Sequence, residues 1–341
     1  MQIVFVPLLL GVFLSVSSAF ALEPSPSPIM IVGDTPYAPA DEAMLAKALP
    51  AIKSGGFPFV IHLGDYKGGK APCDGAHDEA FEVLIDTLAP LPVFYTPGDN
   101  EWTDCDRNEN PATGARYSDL KRLQTVREKF AADVPAGADA FDYRRQLRLP
   151  ENASWSHQGV RYLTLHVTGT NNGRDWVVGD ALEAASAAVA ARDAANSLWL
   201  AEGFVTARNE KARAMVIALH ADPTDIKDKP KGVMCESVAV NDDHACDAFT
   251  ALRRAINDGA ATIDAPVLLI HGDTEPFTLS RGFGGEDAPN LWRLNAAGDA
   301  GVGRTGFAYG VRDVTVVEFH LDEKKPFRAY GLLTGKKARA R

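Results

Sequence analysis

Beyond residue 16 the sequence has no uninterrupted apolar run of the ~20 residues a membrane-spanning helix needs, so no later segment is a candidate span. It has no internal repeat and no heptad pattern, which excludes a solenoid or a coiled coil. Past Pro28 there is no Pro/Ser-rich linker, and nothing divides the chain into separately tethered units. A surplus of positive charge is missing too. The 35 Lys and Arg against 45 Asp and Glu leave a net charge of -10, and phosphate backbones are held mainly by clustered Lys and Arg, so no nucleic-acid partner is expected. The one basic cluster, residues 336–341, reads as a solvated tail. None of the four cysteines belongs to a C-x-x-C pair and no matching His set flanks them, which argues against a structural zinc site.

The opening segment is the exception to the shortage of apolar runs. Residues 3–16 are almost wholly apolar, small residues follow, and Ala19-Phe20-Ala21 fits an A-x-A cleavage site before Leu22. This predicts a signal peptide over 1–21, although the segment lacks an early Lys or Arg; an uncleaved anchor is the alternative. Removing residues 1–21 from the 341 leaves 320, enough for one large α/β domain with an ample core. The expected organisation is a Pro/Ser-rich exit linker over 22–28, one domain over 29–335 and the basic tail over 336–341. The expected location is periplasmic or secreted, with no membrane association after cleavage. Export permits disulfides, and the cysteines fall into two local pairs, Cys73 with Cys105 and Cys235 with Cys246.

From 29 to 130 strand-like and helix-like periodicities alternate: strands over 29–32, 57–63 and 93–96, helices near 41–52, 77–88 and 117–130. That order implies a mainly parallel sheet with right-handed crossovers. A hairpin is expected over 153–167, a long Ala-rich helix over 180–204, a strand over 214–219, a helix near 248–257 and a strand over 266–270. Final strands are expected near 290–294, 314–320 and 327–333. Local pattern supports an α/β protein with a mixed sheet.

Five of these apolar runs end in residues able to bind a metal: Gly33-Asp34-Thr35, Gly64-Asp65-Tyr66, Gly98-Asp99-Asn100-Glu101, Leu219-His220 and His271-Gly272-Asp273. Residues just past the carboxyl ends of neighbouring strands converge, which is where α/β sheets place ligands. A single Gly-Asp reads as a turn. The ordered set Asp, Asp, Asn, His, His resembles the calcineurin-like metallophosphoesterase superfamily. That resemblance implies a four-layer αββα sandwich with two mixed β-sheets, the metallophosphatase fold, and one or two divalent or trivalent metal ions (Mn, Fe, Zn or Mg). It implies Asp34, Asp65, Asn100, His220 and His271 as ligands, with Asp65 bridging, and a small phosphoester, monoester or diester, as substrate.

The residue types suit that chemistry. A phosphoester anion repels nucleophiles and bulk water is a poor one; two adjacent metals lower the pKa of a bridging water and neutralise phosphoryl oxygens. Such metals take oxygen and imidazole ligands. The sequence departs from the superfamily pattern at three places. Pro36 stands where Asp-x-His has its imidazole, Glu101 follows Asn100 where Gly-Asn-His-Asp/Glu has its acid-base His, and Asp273 takes the last position of Gly-His-x-His. Asp273 remains a competent ligand, and Glu275 and Tyr37 stand close by in sequence. The candidate catalytic groups are Asp99, Asn100, Glu101 and Arg107, the last as a planar fork for phosphate oxygens. The segment 168–173, rich in Thr, Asn and Gly, is a further candidate to lie over the site. The departures motivate a rival reading, a catalytically impaired binding protein of the same fold.

Overall fold

The computed structural model describes residues 1–2, 24–111, 113–226, 230–241, 245–274, 276–300 and 310–340. The expected cleavage site at Ala19-Phe20-Ala21 lies outside the described residues, as does Glu275.

The first half alternates strand and helix as its periodicity predicts: β1 (Ile29–Val32), α1 (Pro39–Ser54), β2 (Val60–His62), α2 (Ala76–Leu88), β3 (Val93–Tyr95) and α3 (Asp119–Phe130). Then come β4 (Arg144–Arg145), the hairpin β5 (Ala153–His157) and β6 (Val160–Thr164), a single tight turn α4 (Gly169–Gly173) and the long α5 (Leu182–Asn209). The remainder is β7 (Ala214–Ala218), α6 (Thr250–Ala260), β8 (Val267–His271), β9 (Thr278–Arg281), β10 (Leu291–Asn295), β11 (Thr315–Phe319), β12 (Phe327–Gly331) and β13 (Arg339–Ala340).

These strands form two mixed sheets. The first has the order β12-β11-β1-β2-β3, with β1, β2 and β3 parallel and β11 antiparallel to β1. The second has the order β13-β9-β10-β8-β7-β6-β5-β4, parallel through its centre and antiparallel where β9 meets β10 and β5 meets β6. Strict alternation of side chains sorts each central strand between two cores. Ile29 and Ile31 of β1, Phe94 of β3, Val216 of β7 and Ile270 of β8 face one another between the sheets. Met30, Val32 and Tyr95 face the other way, onto Met44 and Ile52 of α1 and Phe81 of α2. Met215, Ile217 and Leu269 pack on Trp199 and Phe204 of α5 and Ile256 of α6. The result is helices, sheet, sheet, helices: an αββα sandwich.

Three strands lay beyond the local pattern. β4, β9 and β13 are short and sit at or near the end of the second sheet. The basic tail is not a frayed end: Gly331 N donates to Lys336 O at 2.9 Å, Ala338 N to Ala329 O at 2.9 Å, and β13 pairs with β9. Both expected disulfides form, Cys73 with Cys105 and Cys235 with Cys246. Among the described residues no helix is long and apolar enough to cross a membrane.

Candidate metal centre

The exits of β1 and β2 are knitted to each other, Asp34 N donating to Gly64 O at 3.3 Å and Thr35 N to Asp65 O at 3.0 Å. Asp34, Asp65 and Asp273 each take the left-handed backbone conformation, with φ of 52°, 56° and 64°. Asp tolerates that region better than most residues, and such backbone persists where the surroundings enforce it. Two glycines let main chain press against the carboxylates. A Cβ on Gly272 would lie 1.9 Å from Asp34 Oδ2, and one on Gly98 2.1 Å from Asp65 Oδ1.

His220 enters from the exit of β7. Its Nδ1 lies 2.9 Å from Leu63 O, a group that only accepts, so Nδ1 carries the proton and Nε2 faces the acids. From Nε2 it is 3.3 Å to Asp99 Oδ1, 3.6 Å to Asp65 Oδ1 and 3.8 Å to Asp273 Oδ1. Two groups of ligand atoms result, Asp34 with Asp65 and His220, and Asp99 with His220 and Asp273, the atoms of each within 4.8 Å of one another. They share His220, but an imidazole nitrogen has one lone pair and cannot bridge two ions. Asp65 has two oxygens, one toward His220 and one accepting from the Tyr37 hydroxyl at 2.6 Å.

The electrostatics are those of crowded anions. Burial pushes Asp34 up to about 6, an effect the His220 charge partly offsets. Burial raises Asp65 and Asp273 well above the carboxylate range, and neighbouring carboxylates, Asp99 among them, add to it. Burial also opposes the charge on Asp99, but its hydrogen bond to His220 and the charge there hold it below the usual range. For His220 burial disfavours the cation and Asp65 and Asp99 outweigh it, so the ring is held protonated well above its ordinary value. Three buried carboxylates and the half-buried Asp273 around one imidazole are costly without a cation. The donor set, carboxylate oxygens with one ring nitrogen, fits hard or borderline divalent and trivalent ions.

The expected site residues do not all converge. Asp34, Asp65, His220 and Asp273 meet, and Asp99, expected as a catalytic group, joins them. His271 does not. Its Nδ1 lies 2.9 Å from Gly272 O and its Nε2 3.8 Å from Asp222 Oδ1. The reason is strand alternation: His271 ends β8 on the side of Val267 and Leu269, which face the helices, and only the left-handed turn after it aims Asp273 inward. Asn100 reaches the cluster as a donor, Asn100 N giving a hydrogen bond to Asp65 Oδ1 at 3.0 Å and its side-chain amide bonding Asp65 Oδ2. Glu101 is fully buried, and its carboxylate accepts from Tyr95 Oη at 2.8 Å, Gly98 N at 2.8 Å and Asp65 N at 3.0 Å. It braces the two motif loops.

Arg107 sits at the rim, its Nη1 2.5 Å from Asp104 Oδ2 and its Nη2 donating to Thr170 Oγ1 at 3.0 Å. Asp104 and Thr170 escaped the sequence reading as individual residues. The Thr170 hydroxyl lies 3.0 Å from Asp99 Oδ2 and 2.9 Å from Asp104 Oδ1, and burial together with the Asp99 charge pushes Asp104 up to about 7. Thr170, Asn171 and Asn172 have φ of 53°, 54° and 55°, so α4 is a left-handed turn. Each such residue costs roughly 1 to 2 kcal/mol. Asn171 and Asn172 spend their side chains holding that turn: Asn171 Oδ1 accepts from Ala248 N at 3.2 Å and Asn172 Nδ2 donates to Asp193 at 2.9 Å. The polarity of 168–173 was the available signal; its handedness was not readable.

No family model matches the chain, and no curated protein matches it in sequence. Among solved structures it is similar to a dimetal phosphatase from Danio rerio, at 10% identity over 86% of this chain and 96% of that one, with a TM-score of 0.44. It is similar to PhoD at 12% identity, over 94% of this chain and 72% of that one, with a TM-score of 0.49. A third is GAP50, the anchor in the inner membrane complex of Plasmodium, at 11% identity over 92% and 87% of the two chains, with a TM-score of 0.44. At these identities and scores the likeness assigns neither activity nor residue roles, which rest on the geometry above.

Proposed function

We propose that this chain is an exported, metal-dependent phosphoester hydrolase acting on a small phosphomonoester or phosphodiester. The observation that supports it most is the meeting of Asp34, Asp65, Asp99 and Asp273 with His220 Nε2 at the exits of separate strands. In this reading Asp34, Asp65 and His220 would hold one ion and Asp99 and Asp273 would contribute to a second, with Asp65, which has two carboxylate oxygens, the residue able to serve both. Bound ions would supply positive charge against phosphoryl oxygens and acidify a water.

The chain's own residues do the rest. Leu63 O fixes the His220 tautomer so that Nε2 is the ligand atom. Tyr37 Oη orients Asp65, and Arg107, half-exposed at the rim, meets an anionic substrate from solvent while Thr170 ties it to Asp99. Read two residues later than the sequence suggested, Gly272-Asp273 matches the Gly-His start of Gly-His-x-His with an acid in the first imidazole position, which favours Mg, Mn or Fe over softer ions. The two disulfides support an extracytoplasmic location.

The rival, a binding protein that holds metal without turnover, draws on the placement of Glu101, whose oxygens are taken up by Tyr95 and two loop amides where the superfamily has an acid-base imidazole. Aryl phosphate and bis-aryl phosphate hydrolysis with Mn, Fe, Zn and Mg, alongside metal analysis, decides between them. We expect metal-dependent turnover, with Asp65→Ala losing both turnover and most bound metal while staying folded. Metal binding with no hydrolysis under any ion establishes the rival, and full metal content in Asp65→Ala removes the bridging role.

A further inference from the structure

A cavity of about 560 Å³ lies between α3 and α5, lined by none of the residues of the two metal-competent groups. Its size falls among small-molecule pockets, which run from about 300 to 1,000 Å³. The space exists because α5 presents Ala188, Ala191 and Ala195, spaced by three and four, toward Leu120 and Leu123 of α3. It opens to solvent along the exposed Gln124, Arg148 and Ala191, which gives a ligand a way in.

The lining carries more cations than anions. Arg127, Arg148 and Arg192 all contribute. Arg127 is spent on Glu151, at 2.6 Å, and Arg148 has no ion pair among the described residues. Arg192 is only 3% exposed and lies over the Trp102 ring, 5.1 Å from its centroid. Its Nη2 donates to the Asn172 main-chain oxygen and, at 3.1 Å, to the Asn172 side-chain oxygen, while its Nε and the indole Nε1 of Trp102 have no hydrogen-bond partner. The nearby acid Asp193 is engaged by Arg174 at 2.6 Å. The two acids in the lining compensate only through Asp180, which the start of α3 holds. Burial and the adjoining Asp106 push Asp119 up to about 10, so it keeps its proton, and Asp180 accepts from the Ser118 hydroxyl at 2.5 Å and from Leu120 N at 3.0 Å. A buried guanidinium without a carboxylate partner is a costly group that a ligand anion would satisfy.

We propose that this cavity binds a medium-chain aliphatic monocarboxylate, its headgroup at Arg192 and Arg148 and its chain along the alanine face of α5. Inorganic phosphate lacks the apolar body that Leu123, Leu149 and Val189 would cover.

The test is calorimetric titration of the full chain with sodium octanoate, 1-octanol and inorganic phosphate, in excess chelator so that carboxylate–metal contacts contribute nothing. Octanoate is expected to bind at least about tenfold tighter than octanol, a preference of about 1.4 kcal/mol, with phosphate causing no competition. Ala188→Phe, at a half-buried helix position, should weaken octanoate by about tenfold or more. Arg192→Gln should erase the preference for octanoate over octanol, and Arg148→Gln, exposed and safe for folding, should reduce it. Equal binding of octanoate and octanol, unchanged affinity in Ala188→Phe, or no octanoate binding would each overturn the proposal.

Discussion

Asp34→Asn should stabilise the metal-free protein and destabilise the metal-loaded one. Asp34 is buried and its carboxyl is pushed from the usual 3.8 up to about 6, with burial the main cause. A raised acid binds more protons folded than unfolded, so its contribution to stability is full below pH 3.8 and is lost as pH rises through 6. Above pH 6 the ionised group therefore costs about 3 kcal/mol, the free-energy equivalent of that difference. Asn carries no charge, tolerates the 52° φ, and its side-chain oxygen can still accept from Asp273 N, which lies 2.9 Å from Asp34 Oδ1. With chelator at pH 8 the variant should thus unfold roughly 5 °C higher than the parent, and the advantage should vanish by pH 4. With metal the order reverses. An ion at a hundred times its dissociation constant adds about 2.7 kcal/mol to the parent, and less to a variant that has lost a ligand charge. Thermal unfolding of both proteins in chelator and in Mn, at pH 8 and pH 4, reads all four values. An Asn variant no more stable than the parent in chelator at pH 8 refutes the burial argument, and a parent indifferent to metal refutes the site.

Glu101→Ala strands the Tyr95 hydroxyl and two loop amides, and should cost about 2 to 4 kcal/mol by urea unfolding, whereas Glu101→Gln should keep most turnover; a hundredfold loss in Gln would reinstate it as a general acid. Acid sensitivity should centre on Glu151 and His166. Burial opposes the Glu151 charge, but His166 and Arg127 hold it down to about 2, while burial keeps His166 neutral down to about 4. Both are depressed in the fold, so stability falls as pH drops from 6.5 through 4 for His166 and from 4.5 through 2 for Glu151; Glu151→Gln should flatten the lower part of a urea-midpoint profile. Cys73→Ser with Cys105→Ser opens a loop of sequence separation 32 and should cost roughly 3 to 4 kcal/mol, and peptide mapping without reductant should recover both expected pairs.

Much of this architecture is local in origin. Runs such as Ile29–Val32 and residues 267–270 are apolar throughout because both faces are buried, and their length, β-branching and the Gly-Asp pairs that follow identify them without any tertiary information. The alternation of such runs with amphipathic helices is enough to imply parallel pairing, and the strand-exit acids Asp34 and Asp65 follow from the same pattern. Pairing of cysteines near in sequence was readable for a similar reason, since short loops are the easiest to close. What lay beyond the sequence depends on partners far along the chain. A strand as short as β4 or β13 exists only because a neighbouring strand offers it an edge. Whether His271 or Asp273 enters the metal centre turns on which face the last residue of β8 takes, set by register with β7 and β10. Glu101 became a brace because Tyr95, Gly98 and Asp65 surround it, and Thr170 reached Asp99 through three consecutive left-handed residues held in place by Asp193 and Arg192 of α5 and by the main-chain N of Ala248. Residue type sets what a side chain can do; the packing of distant elements decides which atom it faces.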